Sequence, residues 1–142
     1  MRTTSAYVLS LLFILFAGCK KDEQPSAPQE QFADRLTLGN GMSGFVITGE
    51  ATSFTRMGNS AAIYWKLESS VDMAGSAVKI RFDRVTGGTA APYDSLTYTN
   101  PQQYGHIMLS VYTFDGTAGS YRATGILQGT GRVVASKDFT VQ

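Results

Sequence analysis

The side chains that most often carry out chemistry in proteins are scarce in this sequence. It contains one cysteine, Cys19, and one histidine, His106. A hydrolytic triad needs a nucleophile, a base and an orienting acid in register, and no Gly-x-Ser-x-Gly element is present to supply the nucleophile. One histidine cannot build a zinc site, and one cysteine cannot form an intramolecular disulfide. The sequence therefore predicts no enzyme activity, no metal and no cofactor.

The charged residues are few and nearly balanced. There are 12 Lys and Arg against 11 Asp and Glu, which gives a formal net charge of +1. Nucleic-acid-binding proteins normally show a clear basic excess, so a nucleic-acid partner is not expected. Beyond residue 35 the only glutamates are Glu50 and Glu68, and the acids are scattered, which gives no support for the paired carboxylates of a glycosidase.

Tyrosines provide the main indication of binding. Several lie off the expected core face or in expected loops, and their rings could stack on a sugar or a protein partner. The alternative is aromatic pairing within the sheet, with no ligand. The loop predicted over residues 87–94, GGTAAPYD, is a second candidate for recognition, or a plain connection. The candidate surface consists of Tyr64, Tyr93, Tyr98, Tyr104 and Tyr112.

Cys19 stands at the end of a short apolar segment. Arg2 and the amino terminus are positive, residues 8–16 are almost wholly apolar, and Ala17 and Gly18 are small. This order is that of a secretory signal, and the apolar run is too short for a comfortable membrane span. The sequence Phe16-Ala17-Gly18-Cys19 resembles the lipobox of bacterial lipoproteins, although Phe16 replaces the usual Leu. The resemblance implies that residues 1–18 are removed and that Cys19 is acylated, which would anchor the protein to the outer membrane.

The next segment is polar and rich in Gln, Pro and Glu. Residues 20–35 read KKDEQPSAPQEQFADR and hold one large apolar side chain, Phe32, so a flexible linker is expected over residues 19–35. Lys20-Lys21-Asp22-Glu23 resembles the export signal of Bacteroidota-type surface lipoproteins. That resemblance implies a position on the cell surface; a periplasm-facing position is the alternative.

Residues 36–142 show the alternation of a single all-β domain. Short apolar-polar runs are bounded by Gly, Asn, Pro or Asp, and the clearest run places Val78, Ile80 and Phe82 on one face. About seven strands are expected, in a two-sheet sandwich. The sequence Gly119-Ser120-Tyr121 resembles the tyrosine corner of immunoglobulin-like and fibronectin-like domains, which implies that the Tyr121 hydroxyl binds a backbone group near residues 115–118. A jelly roll or a small open barrel is the alternative.

Two kinds of function fit these features. The first is a lipid-anchored binding or adhesion module for a glycan or a protein. The second is a structural accessory subunit that docks onto a larger envelope complex through a sheet edge. An exposed aromatic strip would favour the first, and a long uncharged edge strand would favour the second.

Overall fold

The computed structural model describes residues 32–99 and 105–142, which form two β-sheets. Nine strands lie in this described part, two more than the sequence indicated. They are β1 (Arg35–Ser43), β2 (Val46–Glu50), β3 (Ser53–Phe54), β4 (Ala61–Glu68), β5 (Ala77–Thr86), β6 (Thr89–Thr99), β7 (Ile107–Phe114), β8 (Gly119–Leu127) and β9 (Arg132–Val141).

The strands divide into a four-stranded and a five-stranded sheet. The first has the order β2-β1-β4-β7 and the second the order β3-β9-β8-β5-β6. Every pair is antiparallel except β3 with β9, which is parallel. The prediction of an all-β domain built from two sheets is confirmed.

Apolar side chains alternate strictly with polar or charged ones on β4 and β5, which explains why the two sheets pack face to face. On β5, Val78, Ile80 and Phe82 are buried as predicted, while Lys79 and Arg81 lie on the opposite face. Side chains two residues apart in a strand share a face. Because the charged residues occupy every second position, the opposite, apolar face is the one that packs in the core.

An aromatic cluster fills one end of the core. The rings of Phe82 and Tyr112 stack with centroids 4.4 Å apart, and Phe114 meets Tyr121 edge-on at 4.6 Å. The Tyr121 hydroxyl donates a hydrogen bond to the carbonyl of Thr117, 2.7 Å away, which confirms the predicted contact with residues 115–118.

The structure corrects the prediction of a loop over residues 87–94. Thr86 and Thr89 pair across a two-residue turn made by Gly87 and Gly88, whose φ angles are 59° and 82°. Two consecutive left-handed residues give the turn that matches the twist of a hairpin. The chain after this turn is strand β6, so residues 89–94 belong to a hairpin and not to a long connection.

The prediction of the buried face of β7 is also wrong. In the sequence, Ile107, Leu109 and Val111 alternate with Met108, Ser110 and Tyr112, which predicts that the first three face the core. In the structure Met108 and Tyr112 are buried instead, and Val111 is 44% exposed. Both faces of this strand carry large apolar side chains. Alternation therefore could not distinguish the inner face from the outer one.

Candidate functional site

The tyrosines named from the sequence occupy different environments. Tyr64 is half-buried on the outer face of the four-stranded sheet, and Tyr112 is buried in the core. Tyr93 and Tyr98 lie on β6. The structure therefore does not bring these four together on one exposed surface. Tyr104 and Cys19 fall outside the described residues.

Tyr93 and Tyr112 each bind an aspartate, and the two tyrosine–aspartate pairs connect β6 with β7 and the residue that follows it. The Tyr93 hydroxyl donates to Asp115 Oδ1 at 2.7 Å, and the Tyr112 hydroxyl donates to Asp94 Oδ2. Tyr93 is the extra residue of a bulge in β6, and a bulge can turn two neighbouring side chains toward the same side. The pairs join the two sheets where no backbone ladder connects them.

Both of these tyrosines remain neutral donors at ordinary pH. The hydrogen bond to the Asp115 carboxylate raises the pKa of Tyr93 to about 12. Burial, and then the hydrogen bond to Asp94, raises the pKa of Tyr112. Their hydroxyl groups are already engaged inside the protein, so neither is well placed to recognise a ligand.

Tyr98 contacts the core through its ring. Its ring packs against Trp65 with centroids 5.1 Å apart and planes at 67°. Burial raises the pKa of Tyr98 above its ordinary value. One side of the ring covers Trp65, while Tyr98 also lines a surface groove next to β7.

The free edge of β7 is the most unusual surface of the described domain. β7 borders the four-stranded sheet and, among the described strands, pairs only with β4, in an unbroken register over eight residues. Its sequence, IMLSVYTF, has no charged residue, proline or glycine. Exposed strand edges of this kind readily pair with another polypeptide, which is why proteins usually protect them.

The other edges of the described sheets carry such protection. β3 has two residues and β2 has five, and short edge strands offer few free backbone groups. β6 is longer, but Pro92 and the bulge at Tyr93 interrupt it. Lys137, an exposed residue of β9, places a charge beside the part of β9 that β3 leaves uncovered.

An apolar groove runs beside the first half of β7. Its volume is about 510 Å³, and none of the described residues that line it is charged. Met108 and Leu109 are neighbours on opposite faces of β7, so the groove follows the edge of the strand itself. The groove lining described here comprises Met42, Gly44, Phe45, Tyr98, Thr99, Met108 and Leu109.

The tip of the β1–β2 hairpin forms one wall of this groove. Met42 and Phe45 are 42% and 53% exposed, and Val46 next to them is exposed as well. Sequence reasoning missed this wall because it did not recognise β1 as a strand. The uncharged sequence of β7 was visible, but only the sheet order shows that β7 is an edge.

His106 has a structural environment. Its Nδ1 lies 2.8 Å from the Ser69 carbonyl oxygen, so that nitrogen carries the proton, and its ring stacks on Phe32 at 4.6 Å. Across residues 32–99 and 105–142, no three His, Cys, Asp or Glu side chains are grouped as metal ligands. The same residues include no helix long and apolar enough to cross a membrane.

No protein-family model matches the sequence, and a search of curated proteins finds no significant match. The functional inference therefore depends on the geometry of the β7 edge and its groove.

Proposed function

We propose that this chain is a lipid-anchored protein of the bacterial envelope whose domain binds an extended segment of a partner protein along the free edge of β7. The observation that carries this proposal is an eight-residue edge strand without charge, next to an apolar groove of about 510 Å³. This is the docking mode of a structural accessory subunit. The arrangement of the tyrosines gives less support to a glycan-binding strip.

The strand order supports an immunoglobulin-like fold. In such domains strands A, B, E and D form one sheet, and C, F and G, sometimes with C′, form the other. Here β1, β4 and β7 take the positions of A, B and E, and β6, β5, β8 and β9 take those of C′, C, F and G. The hydrogen bond from Tyr121 to Thr117 matches the tyrosine corner of these domains.

The same comparison explains why β7 is an open edge. Strand D of an immunoglobulin-like sheet lies beside strand E, but no described strand lies beside β7. A segment from a partner would take that position and form backbone hydrogen bonds with β7. Added strands gain affinity from these main-chain bonds, and pockets for alternate side chains give specificity. The groove at Met108 and Leu109 would receive an uncharged, apolar side chain of the partner.

The anchor part of the proposal relies on the leader. The lipobox-like residues 16–19 support acylation of Cys19, and Lys20-Lys21-Asp22-Glu23 supports export to the cell surface. A periplasm-facing position is compatible with the same docking mode. The domain itself is proposed to be a non-catalytic binding module without metal or cofactor.

Photo-cross-linking in intact cells tests the docking edge. A photoreactive amino acid is placed at Val111 on β7, or at Val133 on β9, which is 55% exposed and serves as the control position. Position 111 should give a discrete protein adduct, and peptide mapping should locate it in an extended, uncharged segment. Position 133 should give no such adduct.

A lysine introduced on β7 tests the groove, and the same substitution on β9 is its matched control. Leu109→Lys should abolish the adduct from position 111, because a charge in the apolar groove opposes strand addition, while Val133→Lys should leave it unchanged. Circular dichroism and urea unfolding show whether each variant is folded. Equal adducts at both positions, an adduct that survives Leu109→Lys, or an adduct with carbohydrate alone would rule out the proposed edge.

A further inference from the structure

The apolar groove beside β7 includes one tyrosine, Tyr98, among its described lining residues. Tyr98 is partly buried on β6 and lines the groove together with Met108 and Leu109. The hydroxyl groups of Tyr93 and Tyr112 are occupied by aspartates, whereas the Tyr98 hydroxyl forms no close hydrogen bond with any other residue of the described ranges. Tyr98 can therefore still form a hydrogen bond with a molecule in the groove.

Two hydrogen-bond donors belong to the core side of the Tyr98 ring. This ring meets the Trp65 ring edge-on, with centroids 5.1 Å apart. The Trp65 indole nitrogen is buried and has no partner in ordinary hydrogen-bond geometry within the described part of the chain. Ser110 is paired directly with Trp65 across β4 and β7, so its side chain lies on the same, inner face. A ligand cannot reach the closed-off indole nitrogen, but it can reach Tyr98.

The pKa of Tyr98 indicates how these two donors act on its oxygen. Burial raises the pKa, whereas hydrogen bonding by Ser110 and Trp65 opposes that rise. A hydrogen bond lowers the pKa of a tyrosine when it is donated to the phenol oxygen, because it favours the charged form. The oxygen of Tyr98 therefore faces donors, and its own proton is left for an acceptor on the groove side.

The rest of the groove decides which kind of acceptor fits. None of the described lining residues is charged, so a carboxylate would lose its hydration there without gaining a counter-ion. Among uncharged side chains, only those of Asn and Gln carry a carbonyl oxygen, and Gln has the longer methylene stem. That stem can pack on Met42 and Met108, and the hydroxyl of Thr99, another lining residue, can accept a hydrogen bond from the amide group.

We propose that the segment docked along β7 inserts a glutamine side chain into this groove, with the Tyr98 hydroxyl as hydrogen-bond donor to its carbonyl oxygen. Tyr98 then sets the specificity, while the backbone bonds of β7 supply affinity. Chains of hydrogen bonds polarise one another, so the donors behind Tyr98 strengthen its bond to the glutamine. This inference rests on the proposed function, since it names a side chain of the partner that docks at that edge.

Peptide binding to the full-length chain in detergent, followed by tryptophan fluorescence, tests the inference. Trp65 is the only tryptophan of the sequence and contacts Tyr98, so its emission reports on the groove. Three peptides with blocked ends share the sequence Thr-Val-Thr-X-Thr-Val-Thr, with Gln, Leu or Glu at X. The Gln peptide should bind about tenfold more tightly than the Leu peptide, which corresponds to about 1.4 kcal/mol. The Glu peptide should bind most weakly, because its charge would enter an uncharged groove.

Two variants isolate the contribution of the hydroxyl group. Tyr98→Phe keeps the ring against Trp65 and removes only the hydroxyl, so it should bind the Gln and Leu peptides equally, with the affinity for the Leu peptide unchanged. Tyr64→Phe is the matched control, because it removes a hydroxyl from the outer face of the same domain and should keep the preference for Gln. Urea midpoints show whether each variant is folded.

The outcomes distinguish this inference from the docking edge itself. A Gln peptide that binds no better than the Leu peptide, or a preference for Gln that survives Tyr98→Phe, would overturn the role of Tyr98 and leave docking at β7 intact. Docking at the groove would fail, and the inference with it, if no peptide gave saturable binding or if Leu109→Lys bound all three peptides as wild type does.

Discussion

The Tyr121 hydroxyl shows how a single group can hold one end of the sandwich. The ring is buried among Phe114 and Phe139, and the hydroxyl donates to the Thr117 carbonyl at 2.7 Å. Gly116 fits next to this contact because a Cβ there would lie 2.4 Å from the Phe114 ring. The connection from β7 to β8 is therefore fixed to the core by one hydrogen bond and one close approach.

Tyr121→Phe should cost about 1 kcal/mol in the free energy of unfolding, because it removes the partly buried hydrogen bond to the Thr117 carbonyl. Urea midpoints measure the loss. Tyr64→Phe is the control, since the Tyr64 hydroxyl has no hydrogen-bond partner among the described residues. Tyr112→Phe is not a neutral comparison, because it removes the hydrogen bond to Asp94. Equal midpoints for wild type, Tyr121→Phe and Tyr64→Phe would contradict the role of the corner.

At the scale of the element, the start of β1 is held by a polar clamp. Asp34 accepts hydrogen bonds from the Ser70 backbone N–H at 2.8 Å and the Ser70 hydroxyl at 2.9 Å. Arg132 Nη2 donates to its other oxygen at 2.5 Å. The hydrogen bond from the Ser70 N–H, more than any other contact, lowers the pKa of Asp34 below its ordinary value. The clamp ties the entry into β1 to the turn after β4 and to the first residue of β9.

The clamp should make part of the stability depend on acid pH. Since the pKa of Asp34 is lower in the folded protein than its unfolded value of about 3.9, the stabilisation is present above about pH 4 and is lost as pH falls through the folded pKa. Asp34→Asn should therefore be less stable than wild type at pH 7, and the difference should shrink toward pH 2.

Urea unfolding at several pH values measures this difference. Glu50→Gln is the control, because its ion pair with Arg35 is exposed and such pairs contribute little. A difference between wild type and Asp34→Asn that stays constant from pH 7 to about pH 2 would contradict the assignment.

The strands that could be predicted from sequence differ physically from those that could not. β4 and β5 alternate apolar with polar or charged residues, so both the strand and its inner face are determined. β1 contains Gly39, Asn40 and Gly41, which are typical of turns. Gly39 is needed there because a Cβ would lie 2.4 Å from Ile47. β6 contains Ala-Ala-Pro, which an edge strand tolerates but a sequence pattern assigns to a loop.

The candidate site was less predictable than the fold. Tyr93 and Tyr112 were named from the sequence, but their aspartate partners, Asp115 and Asp94, are 22 and 18 residues away along the chain. Only the packing of β6 beside β7 brings them together. The edge status of β7 is likewise a property of the strand order, which no local pattern encodes.

At the scale of the whole molecule, the uncharged, apolar edge of β7 borders the four-stranded sheet. The chain enters the domain at Phe32, which stacks on His106, and Asp34 is clamped two residues later.

Cys19→Ala tests whether this cysteine is the sole attachment of the whole molecule. Acyl chains contribute about 0.8 kcal/mol per buried CH₂, and more than one chain is needed for a stable anchor. The variant should therefore lose incorporation of labelled palmitate and leave the membrane during washes without detergent. Urea unfolding of the variant should match wild type, because the expected linker separates residue 19 from the domain predicted over residues 36–142. If the variant instead keeps its leader and remains in the membrane, the apolar segment itself is the anchor, and acylation of Cys19 is not required.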